Sequence, residues 1–168
     1  MYLEDTLFHE AFDLYQKAQT DPRVLISLFP ELDPSFKQSI PKIGRLVVFL
    51  TFVVQDFLAA KYPNIIKSEL ESFEKGLIEE AKKCLLGYLV TCRNSPLGLG
   101  RREEIDTALL QLYLGHEPKK LYKLLESENY CKLDVCERLL LDQHVRFLYF
   151  ILLTRNTMLR AYFIKVKT

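Results

Sequence analysis

An all-α fold is the expectation for this chain, and three features carry it. Apolar residues recur every three or four positions from Ile66 to Arg93. Proline- and glycine-marked breaks divide much of the rest into helix-length pieces, and the single β-branched run has no second strand candidate to pair with. Helices that follow one another in short pairs suggest an α-solenoid-like segment, each unit burying its face on the next, although the same pattern could close into a compact bundle.

Residues 5–19 place Phe8, Ala11, Phe12 and Tyr15 on one stripe, flanked by Leu7, Leu14 and Ala18, which predicts an amphipathic helix. Thr20-Asp21-Pro22 then offers a capping carboxylate and a proline at the first helical position, where its missing N–H has no cost. A short helix with Val24, Leu25, Leu28 and Phe29 inward follows, closed by Pro30 and Pro34, so the two form an αα-hairpin. From Asp33 to Pro63 the pattern is weaker. Val47, Val48, Thr51, Val53 and Val54 suit a strand by propensity, but the lack of a partner favours a buried helix.

Between 66 and 93, Ile66, Leu70, Phe73, Leu77, Ala81, Leu85, Tyr88 and Cys92 form one stripe, widened by Ile78 and Leu89. Glu71 with Lys75 and Glu79 with Lys83 stand four apart on the outer face in the favourable acid-first order. Asn94-Ser95-Pro96 and Leu97-Gly98-Leu99-Gly100 are expected to end this helix in a turn. Ile105, Ala108, Leu109, Leu112 and Tyr113 predict another helix begun near Asp106 or slightly earlier and stopped by Gly115. Pro118 opens the next, with Leu121, Tyr122, Leu124 and Leu125 inward, and a further helix runs from Val135 to Leu141 or beyond.

With 168 residues, 49% of them hydrophobic and 27% charged, the chain is long enough for a core and has an ordinary globular balance. A net charge of +1 exerts no general pull on nucleic acid. Its distribution is uneven: residues 1–84 hold 10 Lys+Arg against 13 Asp+Glu, and 85–168 hold 13 against 9. After Asp142 there is no acid, and Arg146, Arg155, Arg160, Lys165 and Lys167 interleave with Phe147, Tyr149, Phe150 and Phe163. Met1-Tyr2-Leu3-Glu4-Asp5 is acidic where a secretory signal would be basic, which leads to a cytosolic expectation. Neither apolar stretch, Leu46 to Val54 or Phe147 to Leu153, approaches the roughly 20 residues that span a bilayer.

The four cysteines read as buried reduced thiols. Cys84 and Cys92 are separated by roughly 12 Å of helical rise, too far for a disulfide. Cys131 and Cys136 form C-x4-C without the second close ligand pair of a zinc site. No nucleotide-loop, zincin, hydrolase-elbow or EF-hand motif occurs. Leu97-Gly98-Leu99-Gly100 lacks the preceding strand of a phosphate loop. His9, His116 and His144 have blander places on a helix surface, a loop and a basic helix, with no nucleophile beside them. Glu103, Glu104 and Asp106 could be paired carboxylates, but a helix N-terminus attracts acids by its dipole. No catalytic, cofactor-binding or metal-ligating residue is assigned, and no cofactor is expected.

A more specific likeness lies at Glu104-Ile105-Asp106-Thr107-Ala108-Leu109-Leu110-Gln111-Leu112-Tyr113, at Leu121 to Leu125, and at Glu128-Asn129-Tyr130-Cys131-Lys132-Leu133. These stretches resemble the helical domain shared by vacuolar sorting proteins of the Vam-six type and the transforming growth factor-β receptor-associated proteins, and the match is closer to the receptor-associated branch. Met1 to Asp5, Asp13-Leu14-Tyr15, Thr20 to Arg23 and Leu25 to Pro30 are similar to that domain's opening hairpin, and Lys83 to Leu89 to its long central helix. The motifs are helix-packing patterns, so no functional residue carries over. The resemblance implies a helical domain over 1–133, with an atypical apolar insert at about 43–65, and an atypical basic, aromatic helical segment over 134–168. It implies part of a larger subunit that combines a β-propeller with clathrin-heavy-chain-type repeats and joins CORVET- or HOPS-like tethering complexes in vesicle-mediated transport. Other tethering subunits are the implied partners. Through the full-length protein come a Rab GTPase and, in the receptor-associated branch, receptor and Smad proteins, with a cytoplasmic location peripheral on endosomal or vacuolar membranes. In such a fragment the apolar residues of 46–54 and 147–163 would await a cover outside this chain.

Two other classes compete with this non-catalytic interaction segment. A helical enzyme would assemble its residues only in three dimensions and would show a polar pocket with shifted pKa values. A membrane-surface module would need the basic and apolar residues of 147–164 on opposite faces, and they segregate only partly.

Overall fold

A computed structural model describes residues 2–29, 32, 59–142 and 146–157. They contain helices and no strand, apart from one isolated bridge between Asn129 and Asn156. The helices are α1 (Tyr2–Lys17), α2 (Pro22–Ile26), α3 (Ala59–Lys61), α4 (Lys67–Arg93), α5 (Pro96–Leu99), α6 (Arg102–His116), α7 (Pro118–Glu126), α8 (Leu133–Asp142) and α9 (Arg146–Arg155). Two compact units divide the chain, Met1–Tyr88 and Leu89–Thr168, the boundary falling within α4. The run Leu46 to Val54 lies outside the described residues, as does His144.

In the first unit the hairpin forms as its pattern predicts, with a terminator that the residue types did not announce. Gln19 adopts a left-handed φ of 50°, Gln19 N–H donates to the Gln16 carbonyl at 3.1 Å and Thr20 N–H to the Tyr15 carbonyl at 3.0 Å. This is a Schellman ending with glutamine in the position that glycine usually takes. Asp21 then caps α2, its Oδ1 accepting from Arg23 N at 2.9 Å while its Oδ2 accepts from Arg23 Nη2 at 2.8 Å. Phe12 and Leu25 are buried, and Phe8 and Leu28 are half-buried. Phe12 stands edge-on to Tyr15 and Tyr88, and the Tyr88 hydroxyl donates to the Thr20 carbonyl, so α4 holds the turn of the hairpin.

The α4 stripe lies where its spacing puts it: Leu77, Ala81, Leu85, Tyr88, Leu89 and Cys92 are buried, and Phe73 and Leu77 are better covered than Glu71 and Lys75. Phe8, Leu70, Phe73 and Ile78 pack around Leu77. Ile66 departs from the stripe and is 63% exposed. It precedes the first turn, its carbonyl accepting from Glu69 N and Leu70 N, while Glu69 Oε2 lies 3.4 Å from Ile66 N in half of a capping box. Ion pairs on the outer face are three apart, Lys82 to Glu79 at 3.5 Å and Lys83 to Glu80 at 2.6 Å.

The second unit is built around α6, which packs on α7 and α8, while α9 covers α7 and α8 and α5 lies on α6. Every residue from Ile105 to Leu110 is buried, as expected of a helix covered on more than one side. α6 begins at Arg102 and runs through Gly115 to His116, and the extended backbone of Glu117 (φ −138°) separates it from Pro118 at the first position of α7. Part of the apolar stretch expected to await an outside cover is covered here, because Leu152 of α9 is fully buried and Leu148, Ile151 and Leu153 are half-buried. The expected turn after α4 is instead the helical turn α5, with Ser95 as its cap: Ser95 Oγ accepts from Gly98 N at 3.3 Å and the Ser95 carbonyl from Leu99 N at 3.2 Å. Those N–H groups are thereby engaged within the turn.

Candidate interaction site

The polar centre of the second unit grows from one acid inside an apolar helix face. Asp106 is fully buried on α6, where an unpaired carboxylate would be costly. Arg93, the last residue of α4, meets it side-on, with Nε donating to Oδ1 at 2.5 Å and Nη2 to Oδ2 at 3.2 Å. That hydrogen bond is the main reason the guanidinium is held above its ordinary pKa, against the opposing effect of burial. Asp106 Oδ2 also accepts from Tyr130 N at 2.9 Å, and Arg93 Nη2 donates to the Glu128 carbonyl at 2.9 Å. A single ion pair therefore ties the end of α4 and the second turn of α6 to the segment between α7 and α8.

That segment, residues 127–132, is irregular, and its backbone groups find partners in side chains, as buried backbone must. Lys132 N donates to Thr107 Oγ1 at 2.9 Å, and Cys131 Sγ to the Asp106 carbonyl at 3.4 Å. From the far side, buried Asn156 donates through Nδ2 to the Cys131 carbonyl at 2.9 Å and to Asn129 Oδ1 at 3.3 Å. Thr157 N donates to the Asn129 carbonyl at 2.9 Å, and the Arg102 guanidinium lies 5.3 Å from the Tyr130 ring centre. The residues just after α9 are thus fastened to the same segment as α4 and α6.

Beside this clamp, α4, α6 and α7 leave a cleft of about 260 Å³ lined by Val90, Arg93, Asn94, Leu109, Tyr113, Lys120, Lys123, Leu124 and Ser127. Its lining joins buried Leu109 and Leu124 to exposed Lys120 and Lys123, and no acidic side chain lines it. Lys120 is paired with Glu117, and burial pushes the Tyr113 phenol upward, keeping it a neutral donor at physiological pH. Such a lining can hold an anionic group next to an aliphatic one.

The acids singled out from sequence separate by role. Glu103 and Glu104 sit in the first turn of α6, where the helix dipole favours them. Asp106 does not fit that dipole account and is corrected to a buried ion-pair centre. His9 Nδ1 lies 3.6 Å from Cys84 Sγ in the first unit, whereas His116 is exposed at the end of α6 in the second. The four cysteines are buried thiols, and among the described residues no group of three His, Cys, Asp or Glu could hold a metal ion. Hydrogen bonding with Cys136, then burial, raises the Cys131 thiol well above the ordinary range. Iodoacetamide should therefore modify Cys131 in urea but scarcely in the native chain, even as the pH rises through the ordinary thiol value of about 8.5. Prompt native labelling, read by mass spectrometry, would place that thiol at the surface instead.

Sequence reasoning missed Arg93 and Asp106 as a pair, though a signal was present. An acid flanked by Ile105 and by Thr107-Ala108-Leu109-Leu110 in an apolar run of a predicted helix calls for a cationic partner. Which cation answers depends on the fold.

Helices clamped about an irregular polar segment make this an all-helical packing module. In sequence the chain resembles the vacuolar sorting and transforming growth factor-β receptor-associated domain family. Residues 105–161 match the family model for vacuolar sorting protein 39 domain 1. Transforming growth factor-beta receptor-associated protein 1 of Mus musculus and of Homo sapiens are each 33% identical over 129 residues, covering 75% of this chain. The homolog from Danio rerio is likewise 33% identical over 75% of this chain. The chain spans 13% of the length of these relatives. No solved structure gives a significant match. The family match runs from the first turn of α6 past the end of α9, so it includes Asp106, the clamped segment and Asn156.

Proposed function

We infer that this chain is a non-catalytic interaction segment of a vesicle-tethering subunit acting in endosomal or vacuolar transport. The observation that carries the reading is the vacuolar sorting match at 105–161, which coincides with the α6–α9 packing of the second unit. Helical arrays of this kind bind through broad faces, with a few anchors supplying most of the energy. Its partners on this reading are other subunits of a CORVET- or HOPS-like complex. A Rab GTPase and receptor or Smad proteins are partners of the full-length protein, the latter suggested by the relatives' name. The location is cytoplasmic and peripheral on endosomal or vacuolar membranes. Among the described residues no helix is long and apolar enough to cross a membrane. Burial of Leu152 in α9 weighs against the reading of 147–164 as a membrane-surface helix.

The test is co-purification of the tagged chain from cells, followed by quantitative identification of its companions and by fractionation of endosomes. Enrichment of tethering-complex subunits together with endosomal membranes is expected. Recovery without any such subunit would overturn the reading.

A further inference from the structure

We propose that the cleft between α4, α6 and α7 is a docking pocket for an acidic protein segment that inserts one aliphatic side chain. The proposal rests on the reading of the chain as an interaction segment and names the chemistry of the partner.

Three observations select this occupant. The lining divides into two chemistries, with Val90, Leu109 and Leu124 apolar and Lys120, Lys123 and Arg93 cationic. Val90 is 45% exposed on the same helix that buries Leu89 and Cys92, an apolar group left at the rim. At about 260 Å³ the cleft lies below the ~300 Å³ at which small-molecule sites usually begin, and it is open, which suits one anchoring side chain of a longer chain.

The charges decide what flanks that anchor. Arg93 is engaged by Asp106 and Lys120 by Glu117, whereas Lys123 has no ion pair among the described residues. Lys120, Lys123, Leu124 and Ser127 follow one another at helical spacing, so they share one face that runs from the first turn of α7 to just beyond its end. The phenol of Tyr113 makes no hydrogen bond to a described residue and stays protonated, so it can donate to a carboxylate that Lys123 attracts. A broad anionic bilayer fits less well, because a cleft of about 260 Å³ takes a single projecting side chain rather than a flat surface. A net charge of +1 for the whole chain gives no general pull on nucleic acid.

The probes are three sets of fluorescently labelled twelve-residue peptides: leucine flanked by aspartate and glutamate, leucine flanked by lysine, and the acidic frame with serine replacing leucine. Polarisation titrations with the whole chain should show the acidic leucine set binding at least about tenfold tighter than either control, and weakening as salt is added. Lys123→Glu should lower that affinity about tenfold or more, and Lys123→Arg should retain it. Arg138→Glu, an equal charge change at an exposed site on α8 away from the cleft, should leave it unchanged. Unaltered circular dichroism melting of each variant keeps the comparison one of binding. Equal binding of the three sets, indifference to Lys123→Glu, or binding confined to phosphatidylserine vesicles would each overturn the pocket assignment. If tethering subunits still co-purify with Lys123→Glu as with the parent chain, the pocket proposal fails and the broader reading stands. Absence of those subunits with the parent chain itself removes the broader reading.

Discussion

Replacing Arg93 with methionine is expected to cost the second unit about 3–5 kcal/mol, because it strands the fully buried Asp106 carboxylate without its cation. The diagnostic measurement is the sign of a second change. In the parent chain Asp106→Asn breaks the ion pair and should destabilise. In the Arg93→Met background the same Asp106→Asn should stabilise, since it removes the stranded charge while an amide oxygen can still accept from Tyr130 N. The Glu128 carbonyl that Arg93 also holds is near solvent, so water can replace that bond. Urea unfolding followed by far-UV circular dichroism yields the four free energies. If Asp106→Asn destabilises equally in both backgrounds, the carboxylate does not depend on Arg93.

Gly98→Ala is the second large effect, with an expected loss of about 3 kcal/mol and a lowered melting temperature. A Cβ at Gly98 would lie 2.0 Å from the Cys92 carbonyl oxygen and 2.8 Å from its carbon, and both neighbours are backbone that cannot rotate away. Among the described residues no glycine has positive φ, so the requirement at Gly98 is space rather than a left-handed conformation. The pressure falls between the end of α4 and α5, one residue before Arg93, so the variant should also loosen the ion pair. By contrast Gly87→Ala, where a Cβ would meet nothing, should preserve or slightly raise stability on a helix interior. Equal melting of the Gly98 and Gly87 variants would show that α5 can move off α4.

The helices were legible wherever the local pattern and the packed environment agree. The stripe from Leu70 to Cys92 predicted the buried face of α4, because a helix with one apolar face has one way to hide it. Asp21-Pro22 marked the start of α2, since capping involves neighbours in the chain. Even the family likeness could be read, being carried by the same packing residues around α6 and Tyr130. Less legible was the end of α1, where Gln19 accepts a left-handed backbone that composition does not advertise. Asp106 was misassigned for a related reason: an acid near the start of a helix suits the dipole equally well whether it points to solvent or inward.

What the sequence determined by itself, then, is the class of fold and the family likeness, both resting on interactions between residues a few positions apart. Only the tertiary structure decided that Arg93 answers Asp106, that Asn156 closes on Asn129 and the Cys131 carbonyl, and that Val90, Tyr113 and Lys123 share one cleft. Each of those pairings joins residues that only the packing of helices brings together. Helical periodicity states which face is buried, while the identity of the group opposite it depends on how the faces are stacked.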